Sequence, residues 1–227
     1  MTQPQAPTAP EPFATVLAEL RAPIVSIQGH VRTLMARDDG LAAPARAQLH
    51  QHMLQHTQRL ESLVDDVVLY MRLLVGPVDV TPEDIRVHAL VEDLRLRLGE
   101  PERVTNEVPS DLVVTADREV LAGVLRRLLR NALVYGARDG RVTVAVQRSA
   151  SGLELAVRDE GFGIPESGAD RAFEPFVRAV HPAERRGDGA GLGLTVCREL
   201  VRLLGGDIEL RPADPGLTAA ILLPQPV

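Results

Sequence analysis

Over residues 13–36 the apolar positions fall at Val16, Leu20, Ile24, Ile27, Val31 and Leu34. Steps of three and four put all of them on one stripe of an α-helix. Asp38-Asp39-Gly40 and Pro44 break the pattern with turn chemistry. A second stripe runs through Met53, Thr57, Leu60, Val64, Val67, Met71 and Leu74. Its alternation of four and three is a coiled-coil-like seam over about three heptads. The two stripes predict a helical hairpin over residues 13–75. One hairpin is too narrow to cover both of its apolar faces. Two of them in a four-helix bundle, and hence a homodimer, is the economical solution. The alternative is a hairpin that packs on the rest of its own chain.

Gly76-Pro77 ends the second helix and opens a different pattern. A helix is expected over 82–98, with Glu83 and Asp84 in its first turn. Short strands are expected at 103–108 and 111–115, then a helix over 117–135 through Val120, Val124, Leu128 and Leu129. Residues 141–148 and 153–158 alternate as strands at Val142, Val144 and Val146, then at Leu153, Leu155 and Val157. A helix over 191–204 and strands at 206–211 and 217–223 complete an α/β sandwich over 78–227. The strands are joined mostly as hairpins and not through βαβ units, which argues against a Rossmann sheet. The predicted class is α+β, a helical hairpin followed by a layered α/β domain.

Composition narrows the chemistry. The 227 residues suffice for one large or two small domains. A net charge of −6 gives no basic footprint, so a nucleic-acid partner is not expected. All 25 basic residues are arginine. Without lysine there is no Schiff base, no P-loop lysine and no strand lysine of the eukaryotic-type protein kinases. The single Cys197 cannot form an internal disulfide. No apolar run approaches the ~20 residues of a membrane span, and no signal-peptide pattern precedes Phe13. A cytoplasmic location without a membrane span is therefore expected. Residues 1–12, with Pro4, Pro7, Pro10 and Pro12, read as a disordered tail.

Three clusters in the second half carry candidate chemistry. Asp159-Glu160-Gly161-Phe162-Gly163 follows a predicted strand. A carboxylate there can accept from an exocyclic amine such as that of adenine, and glycines let a base lie against backbone. A strand-end Asp-Gly turn is the plainer reading. Asn131 stands in an apolar stretch of a predicted helix, where its carbonyl oxygen suits Mg²⁺ between phosphates. A helical asparagine satisfied by backbone is the plainer alternative. Gly187, Gly189, Gly191, Leu192 and Gly193 precede a predicted helix, whose first amides suit phosphate. A flexible loop is the alternative there.

Together these clusters resemble the core of a sensor histidine kinase, over about residues 13–225. Those at 131, 159–163 and 187–194 are similar to the N, G1 and G2 boxes of the Bergerat (GHKL, HATPase) ATP-binding fold. Phe173-Glu174-Pro175-Phe176 is similar to its F box. The resemblance implies that Asn131 holds Mg²⁺, that Asp159 takes the adenine amine, and that 177–191 form a lid over the phosphates. It also implies that Tyr135 stacks near the base and that Arg178 is a candidate phosphate contact. A surface role for Arg178 is the competing reading.

Arg59-Leu-Glu-Ser-Leu-Val-Asp-Asp-Val67 resembles the second helix of the family's dimerisation and phosphotransfer hairpin, and Glu19-Leu-Arg-Ala-Pro23-Ile24 resembles the first helix just after its phosphoacceptor histidine. In that alignment Ala18 occupies the acceptor position and Leu17 the small residue before it. Ala22 stands where the family's phosphatase residue is usually Thr or Asn. Alanine offers neither a nitrogen nucleophile nor a group to orient water. Ala18 lies about 200° around the helix from Leu20 and so faces away from the seam. Pro23 cannot donate to the Glu19 carbonyl, which bends the helix locally. Glu19 resembles the general base, with nothing left to deprotonate.

His52 and His56 have an i, i+4 spacing that suits a metal, but the sequence shows no further ligand beside them. His30 is a poor substitute acceptor, about 120° from Ala18 around the helix. His50, His88 and His181 read as surface or lid residues.

The expected function is a two-component signalling protein that binds Mg-ATP as a pseudokinase, paired with a response regulator or a partner histidine kinase. A genuine histidine kinase whose acceptor was replaced by Ala18 is one alternative; a histidine at 18 in the natural gene would decide for it. A Bergerat-fold serine kinase or ATPase is another. Hydrolysing relatives carry a glutamate four residues before the Mg²⁺ asparagine, where this chain has Arg127.

Overall fold

The computed structural model describes residues 11–37, 40–76, 78–149, 152–165, 168–177 and 191–224. Two long helices come first, α1 (Glu11–Arg37) and α2 (Ala43–Val75). The first starts at Glu11, two residues inside the stretch expected to be a disordered tail; residues 1–10 lie outside the described residues. Pro12 falls in the first turn, where a missing N–H costs no helical hydrogen bond. The helices run antiparallel, because contacts that advance along α1 retreat along α2. Arg59 Nη2 donates to Glu19 Oε2 at 3.0 Å, while the His30 ring lies 5.6 Å from His52 and 5.8 Å from His56.

Both predicted stripes lie on these helices, and a single chain leaves much of them uncovered. Ile24, Val31, Val64, Met71 and Leu74 remain exposed, as do Leu17, Val25, Leu54 and Val68. No helix among the described residues is long and apolar enough to cross a membrane. The chain divides into two compact units, and the one that holds both helices extends to Met71.

The second unit runs on from Arg72. In chain order it contains β1 (Glu83–Arg86), α3 (Val87–Arg97), β2 (Val104–Asn106), β3 (Val113–Ala116) and α4 (Arg118–Tyr135). There follow β4 (Val142–Ser149), β5 (Gly152–Asp159), α5 (Gly193–Leu203), β6 (Asp207–Pro212) and β7 (Leu217–Pro224). Five strands form one sheet in the order β2-β4-β5-β7-β6, while β1 and β3 make a separate antiparallel pair. Only β2–β4 is parallel; β4–β5, β5–β7 and β6–β7 are antiparallel. Antiparallel pairing therefore dominates, with β4–β5 and β6–β7 joined directly as hairpins, while the other pairs are connected through helices or an intervening strand.

The core sits between sheet and helices. Leu121, Val124, Leu125, Leu128 and Leu129 of α4 are fully buried or nearly so, as are Val196 and Val201 of α5 and Val144, Leu155, Ile208 and Ile221 of the sheet. Burying a side chain of that size contributes roughly 1.5–3 kcal/mol, which explains why α4 and α5 hold their stripes to the sheet.

One expected element is wrong. Residues 83–86 form strand β1, and the helix expected over 82–98 begins only at Val87. Ile85 alone of the four is buried, and the segment pairs in register from Glu83↔Ala116 to Arg86↔Val113. Thr115 Oγ1 also donates to Asp84 Oδ1 at 2.8 Å across the pair. Acidic residues after a proline suit a helical first turn, but here the cross-strand ladder outweighs that local preference. Other elements of this unit begin and end within two residues of expectation.

Asp117 sets the start of α4. Its Oδ1 accepts from Val120 N at 3.0 Å and its Oδ2 from Thr81 N at 2.8 Å, and these backbone donors lower its pKa. Asp117→Ala is expected to cost about 1–2 kcal/mol in urea unfolding, the usual range for a lost cap. The carboxyl titrates in the folded state below its ordinary 3.8, so its contribution is complete above that value and disappears as pH falls through the lower one. The difference between the two proteins should therefore shrink on strong acidification. An equal gap at neutral pH and at about pH 2 would contradict the cap.

Candidate nucleotide-binding site

Strand β5 runs through the middle of the sheet and ends on Asp159, which is 8% exposed. Its Oδ1 accepts from Gly161 N at 2.8 Å. Burial pushes the carboxyl pKa up, and the backbone N–H groups of Gly161 and Leu217 and the nearby Arg158 charge oppose that rise only in part. An acceptor held beneath the surface with so little compensation is costly for the fold and available to a polar ligand.

The C-terminal end of α4 lies directly against this turn. A Cβ at Gly161 would stand 2.5 Å from the Tyr135 carbonyl oxygen and 2.9 Å from Gly136 Cα. Asn131 and Tyr135 are one turn apart on the same face of α4, so helix and strand end converge. Both side chains are only half-buried. From the other side, Gly216 (φ +107°) sits so close to the Asp159 carbonyl that any side chain would collide with it. Gly163 (φ +67°) would place a Cβ 2.8 Å from the Gly216 oxygen. Close backbone packing by itself thus accounts for glycine at 161 and 163.

A second wall is built from residues 171–177 and α5. Phe173 is buried, Thr195 Oγ1 donates to its carbonyl at 3.0 Å, and the Arg198 guanidinium lies 4.4 Å from its ring centre. Phe176 N donates to the Gly191 oxygen at 3.0 Å. Phe176 takes φ +66°, which is unusual for a bulky residue, and Gly191 takes φ +68°. A Cβ at Gly191 would fall 2.7 Å from the Val177 oxygen. The segment that resembles an F box is therefore a clasp on the chain that leads into α5. Leu192 is buried and Gly193 is the first residue of α5, two positions later than expected. The first amides of that helix have no intrahelical partner and suit an anion. Arg178, Gly187 and Gly189 lie outside the described residues, as do residues 178–190 of the expected lid.

Arg127 is buried within α4, and its Nη1 donates to the Gly123 carbonyl at 3.1 Å. Sequence reasoning missed Gly136, Gly216, Thr195 and Arg198. Only Gly216 carried a local signal, as part of an Asp-Pro-Gly turn; the others follow from tertiary contacts. In the helical unit, Ala18 is exposed and the Glu19 carboxylate is paired with Arg59.

The donor set fits a magnesium nucleotide. It combines one amide oxygen for the ion, a buried carboxylate for an amine, and helix-terminal amides for phosphate. Among the described residues no three His, Cys or acidic groups form a metal site of their own. An ion here would take its remaining ligands from phosphate and water.

Residues 116–227 match the family model described as the histidine kinase-, DNA gyrase B-, and HSP90-like ATPase. The alginate biosynthesis sensor protein KinB of Pseudomonas aeruginosa is 32% identical over 218 residues, which are 92% of this chain and 35% of that protein. The chain spans between about a third and three fifths of the length of the first curated relatives it matches. Its fold is similar to that of the Acinetobacter baumannii histidine kinase AdeS (TM-score 0.68, 23% identity, 92% of this chain and 98% of that one). It is also similar to histidine kinase ThkA in complex with response regulator protein TrrA (TM-score 0.69, 23% identity, 94% and 61%). The chain thus carries an ATP-binding domain of the histidine-kinase/GHKL type behind an N-terminal helical region, and that domain is a Mg-ATP-binding module.

Asp159→Asn is expected to leave the nucleotide-free protein as stable as the parent at neutral pH, or more so. Burial raises the folded-state pKa, so the ionised parent is destabilised there and gains stability as pH falls toward that pKa. Gly161→Ala, which meets the backbone of α4, should instead lower the unfolding temperature. Thermal unfolding of the two variants checks both; a large loss in Asp159→Asn would mean that the carboxylate is mainly structural.

Proposed function

We propose that this protein is a dimeric histidine-kinase-like signalling protein that binds Mg-ATP, lacks the usual phosphoacceptor, and acts as a pseudokinase or regulatory partner. The observation that carries the reading is an exposed Ala18 beside Glu19 and Pro23, in a chain that retains every group of the nucleotide site. In this reading Asn131 holds Mg²⁺, Asp159 accepts from the adenine amine, and Tyr135 lies beside the base. Gly187, Gly189, Gly191, Leu192 and Gly193 offer amides to the phosphates, with Arg178 as a further phosphate contact. The bound nucleotide supplies a transferable γ-phosphoryl group.

The chain's own residues then decide the fate of that group. A methyl group at 18 has no lone pair to accept phosphorus. One oxygen of the Glu19 carboxylate, which would take the proton of an imidazole, also accepts from Arg59 at 3.0 Å. The exposed apolar residues of α1 and α2 support pairing with a second copy. The response regulator named with ThkA supports a partner of that class. Arg127, tied to the Gly123 carbonyl, weighs against an ATPase, since it stands where a hydrolytic glutamate is expected.

Calorimetry should detect Mg-ATP or Mg-ADP binding to the parent, and Asp159→Asn should weaken it roughly ten- to hundredfold through loss of a charge-assisted acceptor. Asn131→Asp should mainly disturb the Mg²⁺ and phosphate end. A folded parent that binds no nucleotide at millimolar concentration would refute the reading.

With labelled ATP the parent should incorporate no acid-labile phosphate. Ala18→His should recover at least weak incorporation, because an adjacent base and a shaped helix supply proximity and proton transfer. Phosphate mapped to a histidine of the parent would overturn the pseudokinase assignment.

Val64→Glu and Val67→Glu should convert a dimer to monomers by placing an unpaired charge in the seam. Light scattering that gives the parent a mass near 24.6 kDa at micromolar concentration would contradict the dimer.

A further inference from the structure

The last carbonyls of a helix lack intrahelical donors and carry partial negative charge, so a cation beside them stabilises the end. Helix α4 has no basic residue in its own last turn. A guanidinium reaches it instead from Arg103, which stands just ahead of β2 and 30 residues before Leu133. Arg103 Nη2 donates to the Leu133 carbonyl at 3.4 Å and to the Ala137 carbonyl at 3.0 Å. Its Nε donates to the Gly140 carbonyl at 3.3 Å, and its Nη1 to Glu100 Oε2 at 2.6 Å. One planar group therefore ties the last turn of α4 to the turn that follows it.

Both sides of this tie are themselves held. Arg103 ends a short 3₁₀ turn, Pro101–Arg103, which Arg95 of α3 fastens from behind. Arg95 Nη1 donates to the Pro101 carbonyl at 3.1 Å and to that of Val104 at 3.4 Å, while its Nη2 pairs with Glu92 at 2.8 Å. On the far side, Arg141 N donates to Glu160 Oε2 at 3.0 Å, and Glu160 is the residue after Asp159. A Cβ at Gly140 would stand 2.9 Å from Ala137 Cβ and 3.3 Å from Glu160 Cβ, so this turn has little slack. The end of α4 is thus gripped between Arg103 and the strand end that bears Asp159.

Resting on the nucleotide reading above, we infer that Arg103 is a positioning residue for nucleotide binding, holding the α4 end from which Asn131 and Tyr135 meet the ligand. Asp159 keeps its place without Arg103, because β5 is paired along its length with β4 and β7. Loss of the guanidinium therefore displaces the α4 side of the site relative to the sheet side. The Mg²⁺ contribution assigned to Asn131 suffers first. Lysine is a poor replacement, since a point charge on a flexible stem cannot bridge carbonyls as a planar fork does.

The test has one readout without ligand and one with it, both on the full chain. The protein has no tryptophan and two tyrosines, so Tyr70→Phe leaves Tyr135 as the single tyrosine. In that background Arg103→Ala should raise acrylamide quenching of Tyr135 emission while circular dichroism keeps the helical signal. Calorimetry should show Mg-ADP binding weakened about tenfold, as expected when a binding group is misplaced, and ADP without Mg²⁺ weakened less. Arg103→Lys should fall between Ala and the parent in both readouts, and it carries the test if Arg103→Ala does not fold. Combined with Asn131→Ala, the Arg103→Ala loss should be less than additive; combined with Asp159→Asn it should add. Asp117→Ala, at the other end of α4, should lower the unfolding temperature and leave affinity unchanged. Quenching that stays at the parent level overturns the inference. An affinity loss fully additive with Asn131→Ala, or matched by Asp117→Ala, also overturns it and leaves Arg103 a stabilising residue only. A parent that binds no nucleotide refutes the nucleotide reading; Tyr135 quenching then still decides whether Arg103 sets the end of α4.

Discussion

Gly136, Gly161, Gly163 and Gly216 meet where three backbone segments cross too closely for side chains. The end of α4, the turn after β5 and the turn that leads into β7 press together around Asp159. The rest of the nucleotide face depends on that crossing. It fixes the height at which α4 ends beside the sheet, and so the positions from which Asn131 and Tyr135 project. It also closes solvent away from the carboxylate, which raises its pKa. A Cβ at Gly161 would push the end of α4 from the strand end, and one at Gly163 or Gly216 would force the two turns beside Asp159 apart.

The same crossing explains why Asp159 is a better functional candidate than its sequence context suggests. An Asp-Gly turn on a surface needs no further purpose. Here the acid is nearly enclosed, and its hydrogen bond to Gly161 N does not offset the loss of water. Folded proteins seldom keep such a group unless a ligand repays it. The clasp at 173–177 has a related character. Phe176 is held at positive φ by its bond to Gly191, so strain is stored where the chain turns toward the α5 amides.

Much of this was legible in the sequence, for identifiable reasons. Helices α1, α2 and α4 and strands β4 and β5 carry long, regular apolar periods, and those survive any tertiary context. The strand at 83–86 was not legible, because Glu83 and Asp84 after Pro82 mimic a helical first turn while the pairing with β3 is non-local. Asn131, Asp159 and the glycines could be named because a carboxylate or an amide ahead of glycines leaves a compact trace. Gly136 and Thr195 could not, since each acquires its role from a segment distant in the chain. The joining of His30 to His52 and His56 was hidden in the same way: twenty-odd residues separate them, and only the hairpin makes them neighbours.

In the proposed pseudokinase reading, the hairpin presents position 18 without a nucleophile. Ala18 is exposed, Pro23 still interrupts the ladder at Glu19, and the Glu19 carboxylate is held across the hairpin by Arg59 at 3.0 Å. A half-buried ion pair of this kind contributes little to stability, on the order of 1 kcal/mol or less. Its bearing on chemistry is positional, because the bond holds one Glu19 oxygen across the hairpin while a carboxylate offers further lone pairs for an imidazole proton. In the proposed reading, an imidazole restored at 18 therefore regains the missing lone pair beside a base that is already oriented. The bond to Arg59 ties that base to α2, so both helices take part in presenting position 18.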